Sequence, residues 1–161
     1  MVIQTRIATI NDLDGIVQLW LQFTEEADFI DHTTVDAKKW SDNRLKPQLE
    51  GSKVIVAESD GELIGFIGGI DHQQHDWVPE GVLYVVDLYV LPHARVSNAA
   101  HQLYRTAKEM IWSHYREVWT NTHISNRRMQ VILKRWKFKP LHNFSVPGAK
   151  DQYYYRRINQ I

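Results

Sequence analysis

Val82-Leu83-Tyr84-Val85-Val86-Asp87-Leu88-Tyr89-Val90-Leu91-Pro92, continuing as His93-Ala94-Arg95-Val96-Ser97-Asn98-Ala99-Ala100, is the stretch on which the reading of this chain turns. Residues 82–91 are almost wholly apolar, which predicts a central strand covered on both faces. Pro92 ends it, because proline has no N–H to give to a ladder. A polar turn follows, and then a helix over about 97–115. Ala100, Leu103, Tyr104, Ala107, Ile111 and Tyr115 recur on its inner face at helical spacing. A strand that turns into a helix N-terminus presents unpaired amides and the positive end of the helix dipole. A pyrophosphate suits such a turn, with Arg95 beside it. An ordinary turn whose amides hold water would read the same way.

Upstream, residues 3–8 form a short strand, and Asn11 or Asp12 caps a helix over about 11–28 with Leu13, Ile16, Val17, Trp20, Phe23 and Ala27 on one face. A second helical stretch over 33–49 starts at Thr33 or Thr34 and stops near Pro47 and Gly51. Strands 53–58 and 62–70 flank Asp60-Gly61, a pair suited to the positive φ of a tight hairpin. Downstream, residues 117–122 form a strand. Ser125 or Asn126 caps a helix through Trp136, and strands at 138–143 and 152–158 close the chain. The order is βααβββαβαββ, a mixed α/β (α+β) domain over 1–161 with seven strands and four helices and no repeat or linker.

The chain has no cysteine, so thiolate metal sites, disulfides and cysteine nucleophiles are excluded. No apolar run is long enough to span a membrane, and the N-terminus is too mixed in polarity for a signal peptide. The expectation is a cytoplasmic protein. Net charge is zero, but residues 1–92 hold 16 acids against 6 bases, and residues 93–161 hold 3 acids against 13 bases. The basic half suits an anionic ligand and the acidic half a cationic one such as an amine. Asp71, His72, His75 and Asp76 share a loop but lack the spacing of a zinc site, so no metal is expected. The basic half carries Trp112, Trp119, Trp136, Tyr153, Tyr154 and Tyr155, rings that could stack on nucleic acid bases. No nucleic-acid motif accompanies them, and core packing accounts for most.

Asp87-Leu88-Tyr89-Val90-Leu91-Pro92, then Arg95-Val96-Ser97-Asn98-Ala99-Ala100, resembles the central motif of the GNAT superfamily of N-acetyltransferases, in which Arg or Gln is followed by two residues, Gly, one residue, and Gly or Ala. The later run from Asn126 through Met129, Ile132, Leu133 and Trp136 to Phe138 resembles the family's second motif, and the order of elements matches from residue 3 to residue 158. The resemblance implies a GNAT-like fold and transfer of an acetyl group from acetyl-CoA to a primary amine, on a small molecule or a protein. It implies that the backbone of Leu88 and Val90 pairs with the pantetheine arm. It also implies that Arg95 and the amides of Val96, Ser97, Asn98, Ala99 and Ala100 hold the diphosphate, with Asn126 nearby. A homodimer is common in this fold, and the C-terminal strands offer an edge.

The chain departs from the family at several points. Asn98 stands for a Gly, Leu133 for a Tyr that protonates the leaving thiolate, Lys137 for the Gly before Phe138, and Tyr84 for a general-base Glu of some members. These changes motivate the alternative of a GNAT-fold binding protein without catalysis. For an amine attacking a thioester, the chain must deprotonate an ammonium and polarise a carbonyl. Asp87 is a candidate base or ammonium binder, or else the partner of a basic residue in the sheet. Tyr89 and Tyr84 are candidate hydrogen-bond donors or core residues. His123, after the fifth strand, has the pKa range of a base. Leu88 or Tyr89 offers an N–H to the carbonyl. Glu25, Glu26, Asp28 and Asp31 favour a cationic acceptor.

Overall fold

The computed structural model describes residues 1–159; the last two of the 161 residues, included in the single-domain expectation, lie outside the described residues. The elements are β1 (Gln4–Ile7), α1 (Leu13–Glu26), α2 (Ala37–Trp40), α3 (Lys46–Glu50), β2 (Val54–Ser59), β3 (Glu62–Ile70), β4 (Val82–Val90), α4 (Ala99–Met110), β5 (Glu117–His123), α5 (Arg127–Arg135), β6 (Lys139–Pro140) and β7 (Gln152–Ile158). The seven strands are hydrogen-bonded in the order β1-β2-β3-β4-β5-β7-β6. The βααβββαβαββ order stands, with α2, a π turn and α3 making up the second helix. The chain divides into two compact units, residues 1–69 with 87–111 and residues 70–86 with 112–161.

In the first unit β1 and β2 run antiparallel, as do β2 and β3. The hairpin between β2 and β3 turns at Asp60 and Gly61, with φ of 53° and 80°, so the Asp-Gly pair supplies the two positive φ values of a type I′ turn. Ile16 and Leu19 of α1, Leu45, Leu49 of α3, Val54, Val56, Phe66 and Tyr89 form one core cluster. Each fully buried aliphatic side chain here contributes about 1.5–3 kcal/mol. Trp20 and Trp40 stack on the edge of this core, with centroids 4.5 Å apart and planes 6° from parallel. Gly65 is required by close approach: a Cβ there would lie 2.7 Å from the Tyr89 carbonyl oxygen. Helix α4 packs on β1 and β2 with Leu103, Tyr104 and Ala107 buried.

Several expected boundaries move. The first helix begins at Leu13 rather than 11, because residues 10–12 form a 3-10 turn. Asp12 holds the N-cap position of α1 without a side-chain cap bond; its Oδ2 instead accepts from the Thr9 N–H at 2.8 Å and from Arg6 Nη1 at 2.8 Å. The stretch expected as one helix over 33–49 is a 3-10 turn at His32–Thr34, then α2, a π turn over Ser41–Leu45, and α3. Asp36 caps α2 through the Lys39 N–H. In the π turn the Lys46 N–H reaches back to the Ser41 carbonyl. Widening the helix there lets Pro47 sit inside the helical run instead of stopping it. The long helix spans Ala99–Met110 rather than 97–115, and Trp112–His114 is a separate 3-10 turn. The strand expected over 138–143 is only Lys139–Pro140.

In the second unit β4 and β5 are parallel, and their register runs from Val82–Glu117 to Val85–Thr120. On its other side β5 is paired antiparallel with β7 along its whole length, from Glu117 opposite Ile158 to His123 opposite Gln152. Ile70, Val78, Val82 and Tyr84 form the buried cluster, with Trp77, Trp119 and Phe144 against it. Trp112 and Trp136 are buried as well, whereas Tyr153 is half exposed, so the three tryptophans considered for nucleic acid stacking are taken up by packing. Helix α5 ends in a Schellman closure: the Phe138 N–H bonds to the Leu133 carbonyl at 3.0 Å and the Lys137 N–H to the Lys134 carbonyl at 3.2 Å. Lys137 takes φ of 70° there, the left-handed position where the family has Gly.

Candidate functional site

Strand β4 carries the site because its inner residues are apolar up to Asp87, which interrupts the run. The Asp87 side chain is 11% exposed, and its Oδ2 has no hydrogen-bond partner. Arg44 Nη1 lies 3.8 Å from that oxygen, an ion pair too long for a hydrogen bond. Burial pushes the Asp87 carboxyl above the ordinary aspartate range, and Arg44 pulls it partway back. Gln48 of α3 is 1% exposed. Its Nε2 donates to the Gly69 carbonyl at 3.0 Å, and its Oε1 has no partner. Gly68 faces both side chains: a Cβ there would lie 3.0 Å from Gln48 Nε2 and 3.7 Å from Asp87 Oδ2. The Gln48 amide and the unpartnered Asp87 carboxylate oxygen therefore face the same glycine, and Gln48 Oε1 is a second buried acceptor without a donor.

Arg44 and Gln48 were not among the residues singled out in the sequence. The available signal was their i, i+4 spacing, beside the equally spaced core pair Leu45 and Leu49. A polar pair adjoining a core pair lies on the rim of the buried face.

Past β4, a 3-10 turn at Pro92–Ala94 leads into the loop before α4. The Ser97 N–H donates to the Ala94 carbonyl at 3.1 Å, and the Ala99 N–H to Ser97 Oγ at 3.3 Å. Among the described residues, the amides of Val96, Asn98 and Ala100 have no hydrogen bond to the protein. Asn98 does not use the left-handed conformation its Gly counterpart would allow; its φ is −94°. Its Oδ1 accepts from Gln102 Nε2 at 2.6 Å, which holds the side chain along the helix. Arg95 is not free. Its Nη atoms pair with both carboxylate oxygens of Glu26, its Nε donates to the Val90 carbonyl at 2.9 Å, and its guanidinium sits 5.5 Å from the Tyr89 ring centroid.

Tyr89 is buried, and its hydroxyl donates to Glu26 Oε2 at 2.9 Å. Burial and the Glu26 carboxylate push its pKa up to about 12, so it stays protonated at neutral pH. Asp87, Leu88, Tyr89, Val90, Arg95 and the loop 96–100 thus all lie in the first unit. Of the acids expected to draw a cation, Glu26 is held by Arg95, and Asp31 caps the His32–Thr34 turn through the Thr33 N–H.

The remaining expected residues lie in the second unit. Tyr84 is fully buried and its hydroxyl donates to Asn121 Oδ1 at 2.6 Å. Burial raises its pKa further, so it serves the core. His123 is the last residue of β5 rather than beyond it, and its Nδ1 lies 2.7 Å from Ser125 Oγ and accepts from the Ser125 N–H at 3.2 Å. Asn126 Oδ1 accepts from the Met129 N–H at 3.1 Å, which spends its side chain on capping α5. Leu133 is buried and offers no proton. Among the described residues no group of three or more His, Cys, Asp or Glu could hold a metal ion, and no helix is long and apolar enough to cross a membrane.

Comparison with known proteins gives concordant findings. The model of the acetyltransferase (GNAT) family matches residues 14–136. No curated protein matches. Among solved structures, the PaiA N-acetyltransferase of Thermoplasma acidophilum, in complex with coenzyme A, is similar with a TM-score of 0.74 at 16% identity, over 99% of this chain and 100% of that one. The ribosomal-protein-alanine N-acetyltransferase of Brucella melitensis is similar with a TM-score of 0.76 at 17% identity, over 97% and 99%. YncA of Salmonella typhimurium, with its cofactor acetyl-CoA, is similar with a TM-score of 0.75 at 16% identity, over 97% and 93%.

Proposed function

The chain belongs to the acetyltransferase (GNAT) family, and from that premise we propose that it transfers the acetyl group of acetyl-CoA to a primary amine, with Asp87 as the base. The observation that carries the reading is the Asp87 carboxyl: buried on β4, with one oxygen unpartnered and its proton affinity raised by burial. A carboxylate in that state takes up a proton more readily than an exposed aspartate does.

The residues present fit acetyl-CoA as the cosubstrate. The amides of Val96, Asn98 and Ala100 are without protein acceptors at the N-terminus of α4, where a diphosphate is favoured. Asn98 leaves them clear by bonding to Gln102. The ladder of β4 with β5 ends at Val85, so Leu88 and Val90 lie past it on β4, although the Val90 carbonyl already accepts from Arg95. Acetyl-CoA supplies the thioester on which the amine nitrogen forms an amide bond as the carbon–sulfur bond breaks. Asp87 Oδ2 takes a proton from the acceptor ammonium. The Leu88 or Tyr89 N–H donates to the carbonyl oxygen as it gains charge. Leu133 provides no proton, so the departing sulfur takes the one the nitrogen sheds.

Titration calorimetry with acetyl-CoA, with CoA as control, followed by thiol release with a panel of amines, tests this. Micromolar binding and Asp87-dependent thiol release are expected. No binding at millimolar acetyl-CoA would overturn it. Binding without thiol release from any amine would favour a GNAT-fold binding protein, the reading that buried Leu133 supports. The family match spans both units, which supports treating residues 1–161 as one domain; a cytoplasmic location and a homodimer remain part of the proposal.

A further inference from the structure

Three side chains of the first unit are left with unused hydrogen-bonding capacity that is complementary in sign. Gln48 Oε1 and Asp87 Oδ2 are buried acceptors without donors. Leaving such groups unmet is costly, and native proteins rarely do so without a reason. The Arg44 guanidinium is 32% exposed, and its one recorded partner is Asp87 at 3.8 Å. Two other cations of the same helical run, Lys38 and Lys46, are differently placed: both hydrogen-bond Asp42. Arg44 and Gln48 are carried by the π turn and the helix that follows it, and π turns occur often at functional sites. Gly68 leaves out the side chain that would press on both groups: a Cβ there would lie 3.0 Å from Gln48 Nε2 and 3.7 Å from Asp87 Oδ2.

An ammonium alone would satisfy the two acceptors but would sit against the Arg44 cation. An anion alone would satisfy Arg44 but would sit against Asp87. A ligand that carries both charges on neighbouring carbons satisfies all three, because Arg44 and Asp87 are themselves only 3.8 Å apart.

We propose that Arg44, Gln48 and Asp87 form an acceptor subsite for a free α-amino acid, with its carboxylate on Arg44 and its ammonium on Gln48 Oε1 and Asp87 Oδ2. The inference rests on the acetyl-transfer reading for its consequence, since the bound ammonium is then the group acetylated. It also assigns a small molecule rather than a protein lysine or a peptide N-terminus, neither of which has a carboxylate on the neighbouring carbon.

The test is titration calorimetry of the full chain, with CoA present and absent, against α-amino acids, their carboxamides and the corresponding decarboxylated amines. The amino acids are expected to bind roughly tenfold to hundredfold tighter than either analogue, the scale of one charge-assisted hydrogen-bonded pair. Arg44→Gln is expected to erase that preference and Arg44→Lys to keep part of it. Gln48→Leu is expected to weaken the binding of every ligand in the panel. Equal affinity for acid, amide and amine, preference for the decarboxylated amine, or no binding by any of them overturns the subsite. The acetyl-transfer reading is judged separately by acetyl-CoA binding and thiol release: turnover of amines without preference for a carboxylate sinks the subsite and leaves the transferase standing.

Discussion

Replacing Asp87 by Asn should make the protein more stable and less active. The carboxyl is buried, its Oδ2 lacks a donor, and burial raises its pKa. The sign follows from linkage. A carboxyl whose folded pKa lies above its unfolded value of 3.8 costs the native state nothing below that value. It costs progressively more as pH rises through the folded pKa. Asparagine has the same shape and no charge, so it removes that penalty. The amide still leaves a polar atom unmet at that place, so the gain is the difference between an unmet charged group and an unmet neutral one, about 1–3 kcal/mol. Against this stands the Arg44 pair, long and partly exposed, for which about 0–1 kcal/mol is appropriate. The net gain is about 1–2 kcal/mol at neutral pH, and a domain of this length gains about 2–4 °C in Tm per kcal/mol. Thermal unfolding across a pH series should show the variant's advantage growing with pH and vanishing in acid. Acetyl transfer should fall by roughly 10²–10⁴, the usual contribution of a positioned base. A variant that melts lower than the parent at neutral pH and keeps full activity would refute the reasoning, and would make Asp87 a structural partner of Arg44.

Asp12→Asn should cost about 1–2 kcal/mol at neutral pH, allowing for the exposure of Arg6. Arg6 holds the Asp12 carboxyl below the usual carboxylate range, so that stability is present above about pH 3.8 and lost as pH falls through the folded value; urea midpoints of the two proteins should converge in acid. Gly65→Ala should cost about 1–3 kcal/mol by overpacking, because its Cβ would meet the Tyr89 carbonyl at 2.7 Å; an unchanged urea midpoint would mean that β3 and β4 yield freely. Lys137→Gly should raise stability by about 1 kcal/mol, relieving an L-residue at φ of 70°, as read by thermal unfolding. Glu26→Gln should release Arg95 and remove a negative charge beside the loop, lowering the Kd for acetyl-CoA roughly threefold to tenfold by calorimetry.

Much of the fold was legible because it rests on local chemistry. Asp60-Gly61 declared its turn, Asn126 its cap, and residues 82–90 their central strand. Lys137 marked the end of α5 even without the glycine, since the Schellman closure needs only the φ value. The second helix was not legible in detail. A π turn has no compositional signature, and Pro47 reads as a stop unless the widened turn before it is known. Of the site, Asp87 stood out as the one charge in an apolar run. Its surroundings did not, because the absence of a donor at Gln48 Oε1 is a fact of packing. Arg95 was legible as a cation by the loop but not as the partner of Glu26, which lies 69 residues away in the chain.

The widened turn at Ser41–Leu45 also has a bearing on insertions and deletions. A π turn is an α-helix that has absorbed one extra residue. Deleting one residue there would restore the ordinary i to i−4 ladder and leave the segments before and after it facing nearly as they do now, because the widened turn takes up the residue that an unbroken α-helix would pass on as a rotation of about 100°. Trp40, stacked on Trp20, and Gln48, set against Gly69, would both keep their places. A relative one residue shorter in this segment, with a plain α-helix there, would therefore share the fold and keep its polar face on Gly68. Residue identity at positions 44 and 48, more than chain length between Trp40 and Gln48, is then the character by which acceptor preference would be sorted among otherwise similar chains.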